Sequence, residues 1–95
     1  MNPHDATSTA LDELIGQEVV IDLASPFVVL GMLIGQDHRY LIVANADVHD
    51  LRETTTTREL YTLESRRHGI RANRSRALVS RDNVVSIAAL NDVVD

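Results

Sequence analysis

Phe27-Val28-Val29-Leu30-Gly31-Met32-Leu33-Ile34 is apolar on both faces, rich in β-branched residues and interrupted by one glycine. A run of this length and composition reads as a strand, and an internal glycine marks a sharp bend or the close approach of another backbone. A strand bent in its middle is what a small barrel needs. Upstream, Val19, Ile21 and Leu23 alternate with Val20 and Asp22, the spacing of a half-buried strand, and Ala24-Ser25-Pro26 supplies the turn between them. Downstream, Gly35-Gln36-Asp37-His38-Arg39 is a hairpin loop and Tyr40 to Ala44 a third strand.

Outside this core the periods change. Ser8 or Thr9 can cap a short helix over Ala10–Ile15, whose Leu11, Leu14 and Ile15 share one face; Gly16 ends it, and residues 1–8 are polar and expected to fray. Residues 45–55 show no clear period. A second helix is expected at about 56–68, with Thr56 and Glu59 as a capping box and Leu60 and Leu63 as its apolar edge. Arg66, Arg67 and His68 crowd its negative end, and Gly69-Ile70 closes it. Arg71 to Ser75 is a polar connection, Arg76 to Ser80 a fourth strand, Arg81-Asp82-Asn83 a tight turn, and Val84 to Leu90 a fifth strand. Nothing repeats. The expected architecture is mainly β, a small five-stranded, strongly bent barrel with a short N-terminal helix and a helix between strands three and four.

A chain of 95 residues makes one domain, taken here as 1–95. Its only aromatic residues are Phe27, Tyr40 and Tyr61, so the interior is aliphatic. The absence of cysteine excludes disulfides, thiolate metal sites and thiol catalysis. No apolar run approaches the roughly 18 residues of a membrane span, and Met1-Asn2-Pro3-His4-Asp5 has neither the basic start nor the apolar stretch of a signal peptide. A cytoplasmic protein without a membrane partner is the expectation.

The net charge of −5 conceals an asymmetry. Residues 1–65 hold three Arg and eleven acids, whereas 66–81 hold six Arg (Arg66, Arg67, Arg71, Arg74, Arg76 and Arg81) and no acid. A localised basic stretch on an acidic chain is a directed patch, suited to a polyanion such as RNA. The plainer reading is a helix end and a solvated loop that pair with the chain's own acids or a neighbour's. Asp47, His49 and Asp50 offer oxygen and nitrogen ligands, but loop carboxylates more often bond their own backbone, and no metal is expected. No nucleophile–base set and no phosphate-cradling glycine loop is present, so neither an enzyme nor a cofactor is expected.

The order of elements resembles the Sm/LSm superfamily, whose barrel is SH3-like. Its first motif is matched by Val19-Val20-Ile21-Asp22-Leu23 and Gly31-Met32-Leu33-Ile34-Gly35-Gln36-Asp37-His38-Arg39-Tyr40-Leu41, its second by Ala77-Leu78-Val79-Ser80-Arg81-Asp82-Asn83-Val84-Val85-Ser86-Ile87. The match covers 10–46 and 76–90 and leaves 45–75 as an insertion. The resemblance implies a homo-oligomeric ring, with edges meeting around Leu78, Val79, Val85 and Ile87, and RNA at a pore formed by Asp37, His38, Arg39, Arg81 and Asn83. It also implies departures. Leu41 stands where the family's base-reading Asn is found, and Ser80-Arg81 where it has Arg-Gly, so the Arg comes one position late and is expected on the opposite face of the strand end. The Tyr-Lys-His signature of the bacterial Hfq type is absent. The expected function is therefore an RNA-binding ring using the face Arg66, Arg67, Arg71, Arg74 and Arg76 together with a divergent pore. The alternative is a ring-shaped protein-assembly scaffold without nucleic acid.

Overall fold

The computed structural model describes residues 10–95; the fraying of residues 1–8 and the cap at Ser8 or Thr9 lie outside them. Five strands, β1 (Glu18–Leu23), β2 (Phe27–Gln36), β3 (Tyr40–Asp50), β4 (Arg74–Ser80) and β5 (Val84–Ala89), form one antiparallel sheet in the order β4-β3-β2-β1-β5. One α-helix, α1 (Arg58–His68), lies between β3 and β4. A helical turn at residues 10–12 precedes β1.

Gly31 is the hinge of this sheet. The β2–β3 register shifts between Leu30 and Met32, because β3 carries an extra residue there and Asn45 takes a left-handed φ of 48°. A Cβ on Gly31 would lie 2.6 Å from Val43 Cγ1 and 2.9 Å from the Ala44 carbonyl oxygen, so only glycine lets the bulged strand settle onto β2. A second shift, between Leu33 and Gly35, puts the extra residue on β2 instead. Between them the two irregularities curl the sheet around Val19, Ile21, Val29, Leu33, Leu41, Val43, Ala46 and Val79, all buried. Leu11 and Leu14 pack against this cluster as their spacing predicts, but Ile15 is exposed. Gly16 turns the chain with a φ of 91° and donates its N–H to the Leu33 carbonyl at 2.7 Å.

The third strand runs to Asp50, beyond the Ala44 expected from sequence. The bulge explains the difference. Leu41 and Val43 point inward, but past the extra residue the inward positions become Ala46 and Val48, so the alternation slips phase and a period-two reading fails. Strands β2 and β4 are also longer than expected, ending at Gln36 and beginning at Arg74.

The lengthened hairpin supports a second core outside the barrel. Val20, Val28, Leu30 and Leu90 are buried there, joined by Leu51, Tyr61, Ile70 and Val93. Helix α1 is capped by Thr57, whose hydroxyl accepts from the Leu60 N–H at 3.1 Å, and not by Thr56. With the cap one residue later, Glu59 no longer occupies the third helical position, and the expected capping box does not form. Arg58 fixes the helix's rotation, donating to the carbonyls of Phe27 (3.1 Å) and Ser25 (2.9 Å) and pairing with Asp22 at 3.4 Å. The buried face is consequently Thr62 and Ser65, and Leu60 is 47% exposed. Gly69 ends the helix with a φ of 94°, its N–H donating to the Ser65 carbonyl at 2.8 Å. Among the described residues no helix is long and apolar enough to cross a membrane.

Candidate nucleic-acid interface

The loop between β2 and β3 is built on Asp37. One of its carboxylate oxygens accepts from the backbone N–H groups of Arg39 (2.8 Å) and Tyr40 (2.7 Å). Those two bonds hold the Asp37 carboxyl below its ordinary range, with the charges of His38 and Arg81 adding to the effect. Arg81 reaches back from the β4–β5 turn and donates to the Gln36 side-chain oxygen and the Asp37 carbonyl, both at 2.7 Å. Its own N–H donates to the Arg39 carbonyl at 2.9 Å. The guanidinium thus faces the loop and clamps it. Gln36 also donates to Asp12 at 3.1 Å, linking the loop to the N-terminal turn. Sequence reading did not single out Gln36; its alignment with Arg81 depends on a contact 45 residues apart.

Asp37, Arg39 and Arg81 are therefore brought together, and the side chains of His38 and Arg39 remain exposed on the loop. Asn83 accepts at its carbonyl from the Ala24 N–H (2.7 Å), so its backbone is tied to the β1–β2 turn. Leu41 is 2% exposed inside the barrel and presents no polar group to the loop.

The six Arg of residues 66–81 are divided among several surroundings. Arg66 and Arg67 both pair with Asp95, at 3.2 and 3.1 Å, in the manner of the plainer sequence reading. Arg71 borders a cavity beside α1. Arg74 and Arg76, both exposed, stand two residues apart on β4, opposite Ala46 and Ala44. No acid lies within ion-pair distance of Arg71, Arg74 or Arg76 among the described residues.

Strands β4 and β5 each have one neighbour in the sheet, which leaves their outer edges unpaired. The four edge residues named from sequence divide here. Leu78 and Val85 are 59% and 69% exposed, whereas Val79 lies in the inner core and Ile87 packs against it. At such an edge Val79 and Ile87 offer backbone groups only.

Asp47 and Asp50, at the far end of β3, serve local structure. Asp50 caps the short 3₁₀ turn Leu51–Glu53 and binds Arg52 through both carboxylate oxygens, at 3.0 and 2.8 Å, which lowers its carboxyl from the ordinary range. Asp47 is buried and accepts from the Tyr61 hydroxyl and from Asn73 at 3.3 Å. His49 stacks on Tyr61 with ring centroids 3.9 Å apart and 7° between planes. Among the described residues no three His, Cys, Asp or Glu side chains gather as metal ligands.

No protein-family model matches the chain, and neither does any curated protein. Solved structures do. A Pyrococcus abyssii Sm protein in complex with a uridine heptamer superposes with a TM-score of 0.58 at 19% identity, over 94% of this chain and 99% of its own. A heptameric archaeal Sm protein gives 0.58 at 20% identity, over 85% and 96%. A chain of the NatC complex bound to CoA gives 0.55 at 16% identity, over 83% and 82%. At these identities the likeness establishes the fold, and the fold is that of the Sm proteins.

Proposed function

We propose that this Sm-fold chain assembles into a ring of identical subunits that binds RNA backbone, with Arg74 and Arg76 as the core of its basic face. The observation that carries the reading is their pairing on one face of an edge strand without an acid partner. Guanidinium groups so displayed match the spacing and charge of phosphates. Arg71 precedes them on the same connection, and Arg66 and Arg67 join when a phosphate displaces Asp95. The unpaired edges of β4 and β5 support assembly, since head-to-tail pairing of one with the other satisfies both and closes by rotation. The loop residues His38 and Arg39 add cationic contacts at the pore. With Leu41 in the core, base discrimination is weak.

A second reading, a ring-shaped scaffold for protein assembly, is favoured by the same Leu41 and by Arg81, whose guanidinium is engaged by its own loop. The two readings separate in one experiment. Fluorescence anisotropy with a short oligonucleotide is expected to show binding that weakens in Arg74→Ala with Arg76→Ala, with the salt dependence flattening by about one unit of slope per lost contact. Asp95→Asn, which releases Arg66 and Arg67, should raise affinity. No binding by the wild-type ring, or binding indifferent to all three substitutions, would leave the scaffold.

A further inference from the structure

Between α1 and the far end of β3 lies a cavity of about 470 Å³, bordered by Asp47, His49, Tyr61, Glu64, His68 and Arg71. Its volume is that of a small-molecule site, and its lining is sorted by chemistry. The parallel His49–Tyr61 stack supplies an aromatic surface. That surface is held from both sides: the Tyr61 hydroxyl donates to Asp47, and His49 Nε2 lies 3.4 Å from the Thr54 hydroxyl. Asn73 donates to Asp47 and binds both the N–H and the carbonyl of Val48, each at 3.0 Å, which ties the connection after α1 to β3 beside the cavity. Of the charged groups facing the space, Asp47 is engaged as described and Glu64 is paired with His68 at 3.2 Å. Arg71 alone has no hydrogen-bond or ion-pair partner of its side chain among the described residues.

We infer that this cavity binds a nucleoside monophosphate unit, free or as one residue of an RNA strand, with the base stacked on the His49–Tyr61 pair and the phosphate on Arg71. A preassembled aromatic pair accepts any base by its π-face, which suits sequence-tolerant stacking. A guanidinium at the rim, without a competing acid of its own, binds phosphate through parallel N–H donors. The site belongs to the hairpin extension, α1 and the connection from α1 to β4, lies apart from the Asp37–Arg81 loop, and does not rest on the ring reading.

The test is a titration of the full chain with AMP, adenosine, inorganic phosphate and an oligoadenylate hexamer, followed by backbone and side-chain NMR. AMP is expected to shift His49, Tyr61, His68 and Arg71 and to bind more tightly than adenosine or phosphate. Arg71 is exposed, so Arg71→Ala is expected to keep the native melting temperature, to weaken AMP about tenfold and to leave adenosine unchanged. His49→Ala should weaken both AMP and adenosine, and His49→Phe, which keeps a stacking ring, should restore them. If the hexamer competes with AMP the natural occupant is an RNA residue; if AMP binds without competition it is a free nucleotide. AMP affinity unchanged in Arg71→Ala, or phosphate binding as tightly as AMP, would overturn the assignment.

Discussion

The hydroxyl of Tyr61 on α1 donates to the carboxylate of Asp47 on β3, which is 3% exposed. This single bond joins the inserted helix to the strand beneath it and supplies a buried acid with one of its two side-chain donors. Burial first, and the Asp47 carboxylate second, push the phenol well above its ordinary range, so Tyr61 is a neutral donor. Tyr61→Phe leaves Asp47 with Asn73 alone and is expected to cost about 1–3 kcal/mol, read from the shift of the urea midpoint. The pH dependence follows in sign. A phenol raised by folding contributes fully below its unfolded value of roughly 10 and loses that contribution as pH rises through the folded value. Melting temperatures of the native chain should therefore fall as pH rises above roughly 10, where the unfolded phenol ionises and the folded one does not, and those of Tyr61→Phe should lack this component.

Gly31→Ala tests the hinge. The added methyl must displace Val43 or the Ala44 carbonyl, and overpacking of this kind costs about 1–3 kcal/mol. Denaturant unfolding monitored by circular dichroism should show a lower midpoint at unchanged slope. An unaltered midpoint would mean that the β3 bulge relaxes freely.

At the β2–β3 loop, the two N–H donors on Asp37 predict a carboxyl midpoint below 3.8 in a carbon-detected NMR titration. A carboxyl lowered by folding stabilises the loop above its unfolded value and loses that contribution as pH falls through the folded value. Asp37→Ala should loosen Arg81 as well, since the carboxylate's bonds to the Arg39 and Tyr40 N–H groups fix the loop whose Asp37 carbonyl anchors that guanidinium.

Assembly can be probed without breaking the barrel. Leu78→Lys and Val85→Lys alter exposed edge side chains, and light scattering is expected to show the proposed ring giving way to monomers that still melt cooperatively. Ile87→Lys places an ammonium against the inner core and should lower the melting temperature itself. If both edge variants keep the native mass, the subunits meet elsewhere.

Much of this fold is legible in the sequence, and the exceptions share a cause. Gly31 within an apolar run announces the bend, and Gly69 announces the end of α1, because each position needs a residue without Cβ or with positive φ. The continuation of β3 past Ala44 is hidden, since the extra residue at Asn45 throws Ala46 and Val48 out of the alternation set by Leu41 and Val43. The helix cap is misread by one residue because Thr54, Thr55, Thr56 and Thr57 are chemically equivalent. Which hydroxyl caps is decided by where Arg58 meets the Ser25 and Phe27 carbonyls, a contact more than thirty residues distant. At the loop, Asp37 is visible in sequence, but Arg81's partnership with Gln36 is not. The aromatic pair His49–Tyr61 is invisible for the same reason: nothing local relates a strand residue to a helix residue twelve positions later.

Leu90 carries a consequence for how the molecule comes apart. It is buried in the second core with Val20, Val28 and Leu30, and its turn, Leu90–Asp92, touches both β1 and α1. The helix therefore rests on residues from both ends of the described chain, and it gains its full support only after the last strand has docked. A helix of 11 residues has little stability of its own. Helix and terminal turn should thus open together as one foldon, exchanging their amide hydrogens with a common free energy below that of the barrel strands. Deleting Leu90 to Val93 should then melt α1 and leave β1 to β4 protected, so that the insertion behaves as an annex latched by the far end of the chain.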